Sequence, residues 1–152
     1  MKIEEKVRKM GYEFFDPPKG KIEPAVFSED VIYVSGCGPI SSNGKILYSG
    51  KVDKEISIED SKKAAKIAAF NCINAIHFVI GDLSRIERIL KVTGFVNSDE
   101  NFAKQHEVVN GASDFLIQLF GEKGKHARTA IGVRGLPNNI CVEIQMVAKI
   151  KD

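Results

Sequence analysis

The sequence predicts an α+β domain in which one β-sheet carries two long helices on a single face. Three observations point there. With 152 residues, 43% of them hydrophobic and 28% charged, the chain fits one domain with one core. Its hydrophobic periodicity switches between strand and helix patterns in the order β-β-α-β-α-β-β. Only two of those segments are long helices, and two helices cannot cover both faces of a sheet this size. The uncovered face must meet something else, and further copies of the same chain are the simplest partner.

Each element has its own signal. Ile3, Val7 and Met10 recur at helical spacing and predict a short helix that Gly11 stops. Asp16-Pro17-Pro18-Lys19-Gly20 then makes a stiff, solvated break, so residues 1–20 are expected to be a helical extension ahead of a domain at 21–152. Val31 to Val34 is β-branched and aromatic, a strand closed by Gly36, Gly38 and Pro39. The tight-turn pair Asn43-Gly44 leads into Lys45–Tyr48 and predicts a hairpin. Ser57 and Asp60 read as a capping box; the stripe Ala64, Ala68, Cys72, Ala75, Val79 follows, and Gly81 ends the helix. Its small residues imply close packing. Residues 86–96 alternate as a strand. A second long helix is predicted from about Phe102 to Phe120, with Val109, Ala112 and Leu116 on one face and Gly121 and Gly124 at its end. Arg128–Arg134 and Ile140–Ile150 read as two strands joined by Gly135-Leu136-Pro137-Asn138-Asn139, a terminal hairpin.

Composition narrows the function classes. Lys and Arg number 22 and Asp and Glu 20, so the formal net charge is +2. Lys62-Lys63 and the lysines at 123 and 125 form no basic stripe with aromatics, which argues against nucleic acid. No apolar run is long enough to span a bilayer and the N-terminus lacks a signal-peptide pattern, so the expectation is a cytoplasmic protein with no membrane contact. Cys37, Cys72 and Cys141 are odd in number and far apart, which argues against a disulfide framework. His77, His106 and His126 show no metal-ligand spacing, and no metal site is expected.

The terminal segments carry the chemistry. In 140–150 the even positions are apolar and the odd ones include Glu143 and Gln145; in 128–134 Thr129, Ile131 and Val133 are the more apolar set. Pairing these strands with both apolar sets toward the core places Arg128 opposite or diagonal to Glu143, on the face away from the helices. A one-residue slip would bury the arginines. Parity alone favours an ordinary cross-strand ion pair worth under about 1 kcal/mol; a functional reading needs a further reason.

That reason is a resemblance. Residues 126–150, HARTAIGVRGLPNNICVEIQMVAKI, resemble the C-terminal signature of the YjgF/Rid (reactive intermediate deaminase) family, also labelled L-PSP endoribonuclease-like. The matching pieces are Arg128, Leu136-Pro137 and Val142-Glu143-Ile144. Upstream, Val31 to Pro39 resembles the family strand ending in Ser-Gly-x-x-Pro, Thr93-Gly94-Phe95-Val96 resembles its T-x-F-V strand, and Val109-Asn110 resembles a Val-Asn on its second helix. The resemblance covers roughly residues 22–150, in a divergent, somewhat longer branch.

The resemblance implies a chorismate-mutase-like fold, a six-stranded mixed sheet with two helices on one face, assembled as a homotrimer with clefts between subunits. It implies hydrolytic deamination of reactive 2-imino and 2-enamino acids to a 2-keto acid and ammonia, with no metal and no organic cofactor. Arg128 and Glu143 are the implied catalytic pair: a guanidinium fork for the substrate carboxylate and a group that activates water. Ser35, Gly36, Cys37, Asn110 and Ala130 are the implied substrate-binding residues. His106 and His126 flank this set, each either a second acid near the site or a surface imidazole. The chain also departs from the pattern. Ile22 stands where many members have a tyrosine, Cys37 where Gln is common, and Ser113 where another tyrosine occurs. These departures motivate an alternative, a non-catalytic regulatory trimer that binds small carboxylates. A third reading, an endoribonuclease, follows from the family label, and the charge balance argues against it.

Overall fold

The computed structural model describes residues 1–152. A short helix α1 (Ile3–Lys9) precedes strands β1 (Ala25–Ser28) and β2 (Val31–Cys37), helix α2 (Ile58–Ile80), strand β3 (Ile86–Asn97), helix α3 (Gln105–Phe120) and strands β4 (Ala127–Val133) and β5 (Val142–Ile150). The strands form one mixed sheet in the order β1-β2-β5-β3-β4, with β3 and β4 parallel and every other pair antiparallel. Strand register sorts the side chains onto two faces. Ala25, Val34, Met146, Val92 and Arg128 form one row across all five strands, and the first four are buried under α2 and α3. The neighbouring row, Val26, Tyr33, Val147, Lys91 and Ala127, lies on the opposite, helix-free face. Both long helices therefore sit on one side, as the element count requires.

Helix α2 forms as its sequence dictates: the Ser57 hydroxyl accepts from the Asp60 N–H, and Gly81 closes the helix at φ 78°. The reciprocal half of the box is absent, because the Asp60 carboxylate faces Lys63 at 3.5 Å instead. Helices α2 and α3 cross closely enough that a Cβ on Gly111 would lie 2.0 Å from the Lys62 carbonyl oxygen. A Cβ on Gly94 of β3 would lie 2.3 Å from Val109 of α3. Helix α1 joins the same core through Val7, which is fully buried, and its Glu4 carboxylate accepts from the Leu83 N–H at 2.7 Å.

Three expectations need correction. The sheet has five strands, not six. Asn43-Gly44 does turn, but Lys45–Tyr48 yields a single bridge, Ile40 to Ile46; its ladder cannot extend, because Pro39 offers a carbonyl to Leu47 and has no N–H to return. The hairpin partner of β2 is instead β1, joined to it by the two-residue turn Glu29-Asp30, with Glu29 at φ 55°. Finally, β4 and β5 are not a hairpin, since β3 lies between them. The connecting loop is tied to the end of β3 by buried Asn97, whose side-chain amide donates to Ile140 O at 3.1 Å and Asn139 Oδ1 at 3.0 Å. Arg128 thus pairs with Val92, and Glu143 with Phe95. Val92 and Phe95 are three residues apart on one strand, so Arg128 and Glu143 project from opposite faces of the sheet.

Candidate functional site

Arg128 sits on the edge strand β4 where α3 passes over it. Its Nη1 donates to Asn110 Oδ1 at 2.8 Å and to Ser113 Oγ at 3.2 Å, and Nη2 donates to the His106 carbonyl at 3.4 Å. Asn110 and Ser113 are three residues apart on α3 and so share a helix face. Ser113 Oγ is in turn 2.9 Å from His126 Nε2, and His126 Nδ1 lies 2.6 Å from the Gly124 carbonyl. A carbonyl can only accept, so Nδ1 carries the proton and, in the neutral ring, Nε2 accepts the Ser113 hydroxyl. Burial holds the His126 pKa below the usual 6.5, with the Arg128 charge adding to the effect and the Gly124 hydrogen bond opposing it. Every acceptor on Arg128 is neutral, and no carboxylate forms a salt bridge with it. The half-buried guanidinium is positioned and uncompensated, the state that suits capture of an anion. Ala130 lies two residues further along β4, on the same face and against the core.

Glu143 belongs to a second cluster. Its Oε2 occupies the space beside Gly36, 2.8 Å from where a Cβ would be, so a side chain at 36 would displace the carboxylate. No donor or cation within the chain engages it. Ser35 donates to the Glu23 carbonyl at 2.6 Å, which commits its hydroxyl proton. Cys37 Sγ donates to the Ser35 carbonyl at 3.3 Å and Cys72 Sγ to the Ile144 carbonyl at 3.4 Å; the neighbouring Cys37 thiol and complete burial raise the Cys72 thiol pKa well above its usual value. Ile22 is 73% exposed near the mouth of this region.

The structure therefore brings Arg128 to Asn110 and Ala130, and Gly36 to Glu143 between Ser35 and Cys37. It does not bring Arg128 to Glu143 within one chain. Sequence reasoning missed the Ser113–His126 link behind Arg128, although the Asn110–Ser113 spacing was a visible signal. It also missed that Cys37 and Cys72, far apart in sequence, are neighbours. The largest hollow, about 670 Å³ and bordered by Lys51, Asp99, Gln105 and Arg134, holds none of the candidate residues. No cluster of three or more His, Cys, Asp or Glu side chains is placed to hold a metal ion.

Residues 15–150 match the model of the family described as YjgF/chorismate mutase-like, putative endoribonuclease. The chain belongs to this family. Among curated relatives, protein TCP17 of Trypanosoma cruzi is 34% identical over 122 residues, 80% of this chain and 76% of that protein. Two crystal structures share the whole YjgF fold. Protein Atu1372 of Agrobacterium tumefaciens superposes with a TM-score of 0.92 at 36% identity, covering 99% of this chain and 94% of its own. A protein of Shewanella oneidensis MR-1, described as a putative endoribonuclease, gives 0.91 at 26% identity, covering 99% and 100%. That coverage takes in the N-terminal helix, which this YjgF chain shares with both. No helix is long and apolar enough to cross a membrane.

Proposed function

We propose that the protein is a hydrolytic deaminase of 2-imino and 2-enamino acids, working in clefts between the subunits of a homotrimer. The observation that carries this reading is Arg128, a guanidinium fixed by neutral oxygens and lacking a counter-charge. A substrate carboxylate supplies that charge and leaves the 2-carbon held for attack. An enamine first gains a proton at C3 and loses one from nitrogen, becoming the imine. Glu143 takes a proton from the water that adds to the imine carbon and passes it to the imine nitrogen. The tetrahedral adduct then collapses: Glu143 carries the carbinol O–H proton to the amine, the C–N bond breaks, and the nitrogen leaves as ammonia. The products are the 2-keto acid and ammonia, and no redox partner is consumed.

The reading requires assembly. With Arg128 and Glu143 on opposite faces, each chain offers two half-sites, and a neighbouring subunit is needed to bring one to the other. The helix-free face exposes Val26 at 50%, Tyr33 at 48% and Ile131 at 41%. No helix covers this face, and cyclic threefold packing would close it.

In a coupled assay, a dehydratase generates 2-aminoacrylate and pyruvate release is followed. The protein is expected to speed that release, and Arg128→Ala to lower kcat/KM by roughly 10²-fold or more with the assembly intact. Unchanged activity in that variant removes Arg128 from the mechanism. Two observations favour binding without turnover as a second reading: Ile22 replaces the family tyrosine, and the Ser35 proton is committed to Glu23. Calorimetric binding of pyruvate by a protein that fails the coupled assay would establish it. RNA cleavage that survives stringent purification and is lost in Glu143→Ala would instead support the activity in the family description.

A further inference from the structure

We infer that the cleft between the N-terminal segment and the end of β2 is a pocket for the substrate side chain, selecting 2-imino acids with apolar side chains of leucine to phenylalanine size over 2-aminoacrylate. The inference rests on the deaminase reading and names its substrate class. The cleft holds about 290 Å³, room for a side chain well beyond a methyl group. Phe15, Pro17, Ile22, Pro24 and Ile40 give it apolar walls, and it is bordered by the loop Ser35–Cys37, whose Gly36 lies beside Glu143.

The wall contributed by the N-terminal segment is built in place. Asn74 of α2 clamps Phe15 with both halves of its amide, accepting from Phe15 N and donating to Phe15 O, each at 2.9 Å. Tyr12 stacks on Phe70 at 4.5 Å between centroids, and Phe14 stacks on His77 at 4.1 Å. On the far side Asn71 donates to the carbonyls of Gly38 and Ile40, each at 2.9 Å. The side-chain amides that border the cleft are thus already engaged within the protein, and what they leave to a ligand is largely hydrocarbon. Glu23 is the one charged residue at its edge, which disfavours acidic side chains. A substrate as small as 2-aminoacrylate would leave the cleft unfilled and forgo its binding energy.

The test compares imines made in situ by an L-amino-acid oxidase from leucine, phenylalanine, lysine and glutamate with enzymatically generated 2-aminoacrylate, for the wild type, Ile22→Tyr and Phe15→Ala. Ile22→Tyr narrows the cleft at an exposed position, and Phe15→Ala removes one wall. Wild-type kcat/KM is expected to be at least about tenfold higher for the leucine and phenylalanine imines than for 2-aminoacrylate. That ratio is expected to fall about tenfold in each variant. A wild-type preference for 2-aminoacrylate or for the lysine or glutamate imine overturns the inference, as does a ratio that neither variant changes. If no imine is hydrolysed, the deaminase reading fails, and calorimetry with 2-keto acids decides the pocket separately. Binding of 4-methyl-2-oxopentanoate at least about tenfold tighter than pyruvate, and lost in Ile22→Tyr, sustains it; equal binding, or none, overturns it.

Discussion

The neutral oxygens around Arg128 set its orientation without quenching its charge, and they differ in what they contribute. Asn110 makes the shortest of the bonds, at 2.8 Å, so Asn110→Ala is expected to raise KM about tenfold, the worth of one hydrogen bond to a charged group, and to affect kcat less. Steady-state kinetics on the coupled assay reads the split. His126 acts one step back, through Ser113. Its folded pKa lies below the usual 6.5, so as pH falls below that value the unfolded chain takes up the proton first. Stability is therefore expected to decline from there downward until the folded imidazole also protonates, and to be insensitive to this group at higher pH. The drop in Tm between about pH 7.5 and about pH 5.5 should be smaller in His126→Gln than in the wild type. Arg128 and Asn110 were legible in the sequence because each falls in a recognisable motif. The His126 link was not, because a loop and a helix approach each other there only after folding.

At the level of elements, the helices and their ends were legible because caps and apolar stripes are local signals: Ser57 and Gly81 bound α2 as their chemistry demands. Strand pairing was not, because alternation within β4 and β5 fixes two faces for each strand but cannot say which strand lies beside it. The apolar parity of β4 pointed Ile131 toward a core, and the structure turns it to the helix-free face, 41% exposed. The reason is the depth of α3. It presses so closely on β3 that a glycine lies beneath it at 94, and it meets α2 at Gly111. Gly111→Ala has no room, since the obstructing atom is backbone oxygen. It is expected to cost about 3 kcal/mol and to lower Tm by roughly 6–12 °C in a thermal melt.

For the whole molecule, the helix-free face of the sheet is left without a layer, and the proposed trimer would cover it. Ile131→Lys places a charge there at a site open in the single chain, so it is expected to lower the assembly from trimer to monomer in light scattering while leaving the secondary structure intact. The one-sided helices made an uncovered face legible from the sequence, but how many copies cover it is written in surface shape and not in periodicity. The placement of Arg128 and Glu143 on opposite faces of the sheet has a genetic consequence. Chains carrying Arg128→Ala and chains carrying Glu143→Ala would each be inactive alone, yet each keeps the half the other lacks. Randomly mixed in equal amounts, they would restore about a quarter of the clefts. Two null alleles in one cell would complement each other, which a site built within a single chain could not allow.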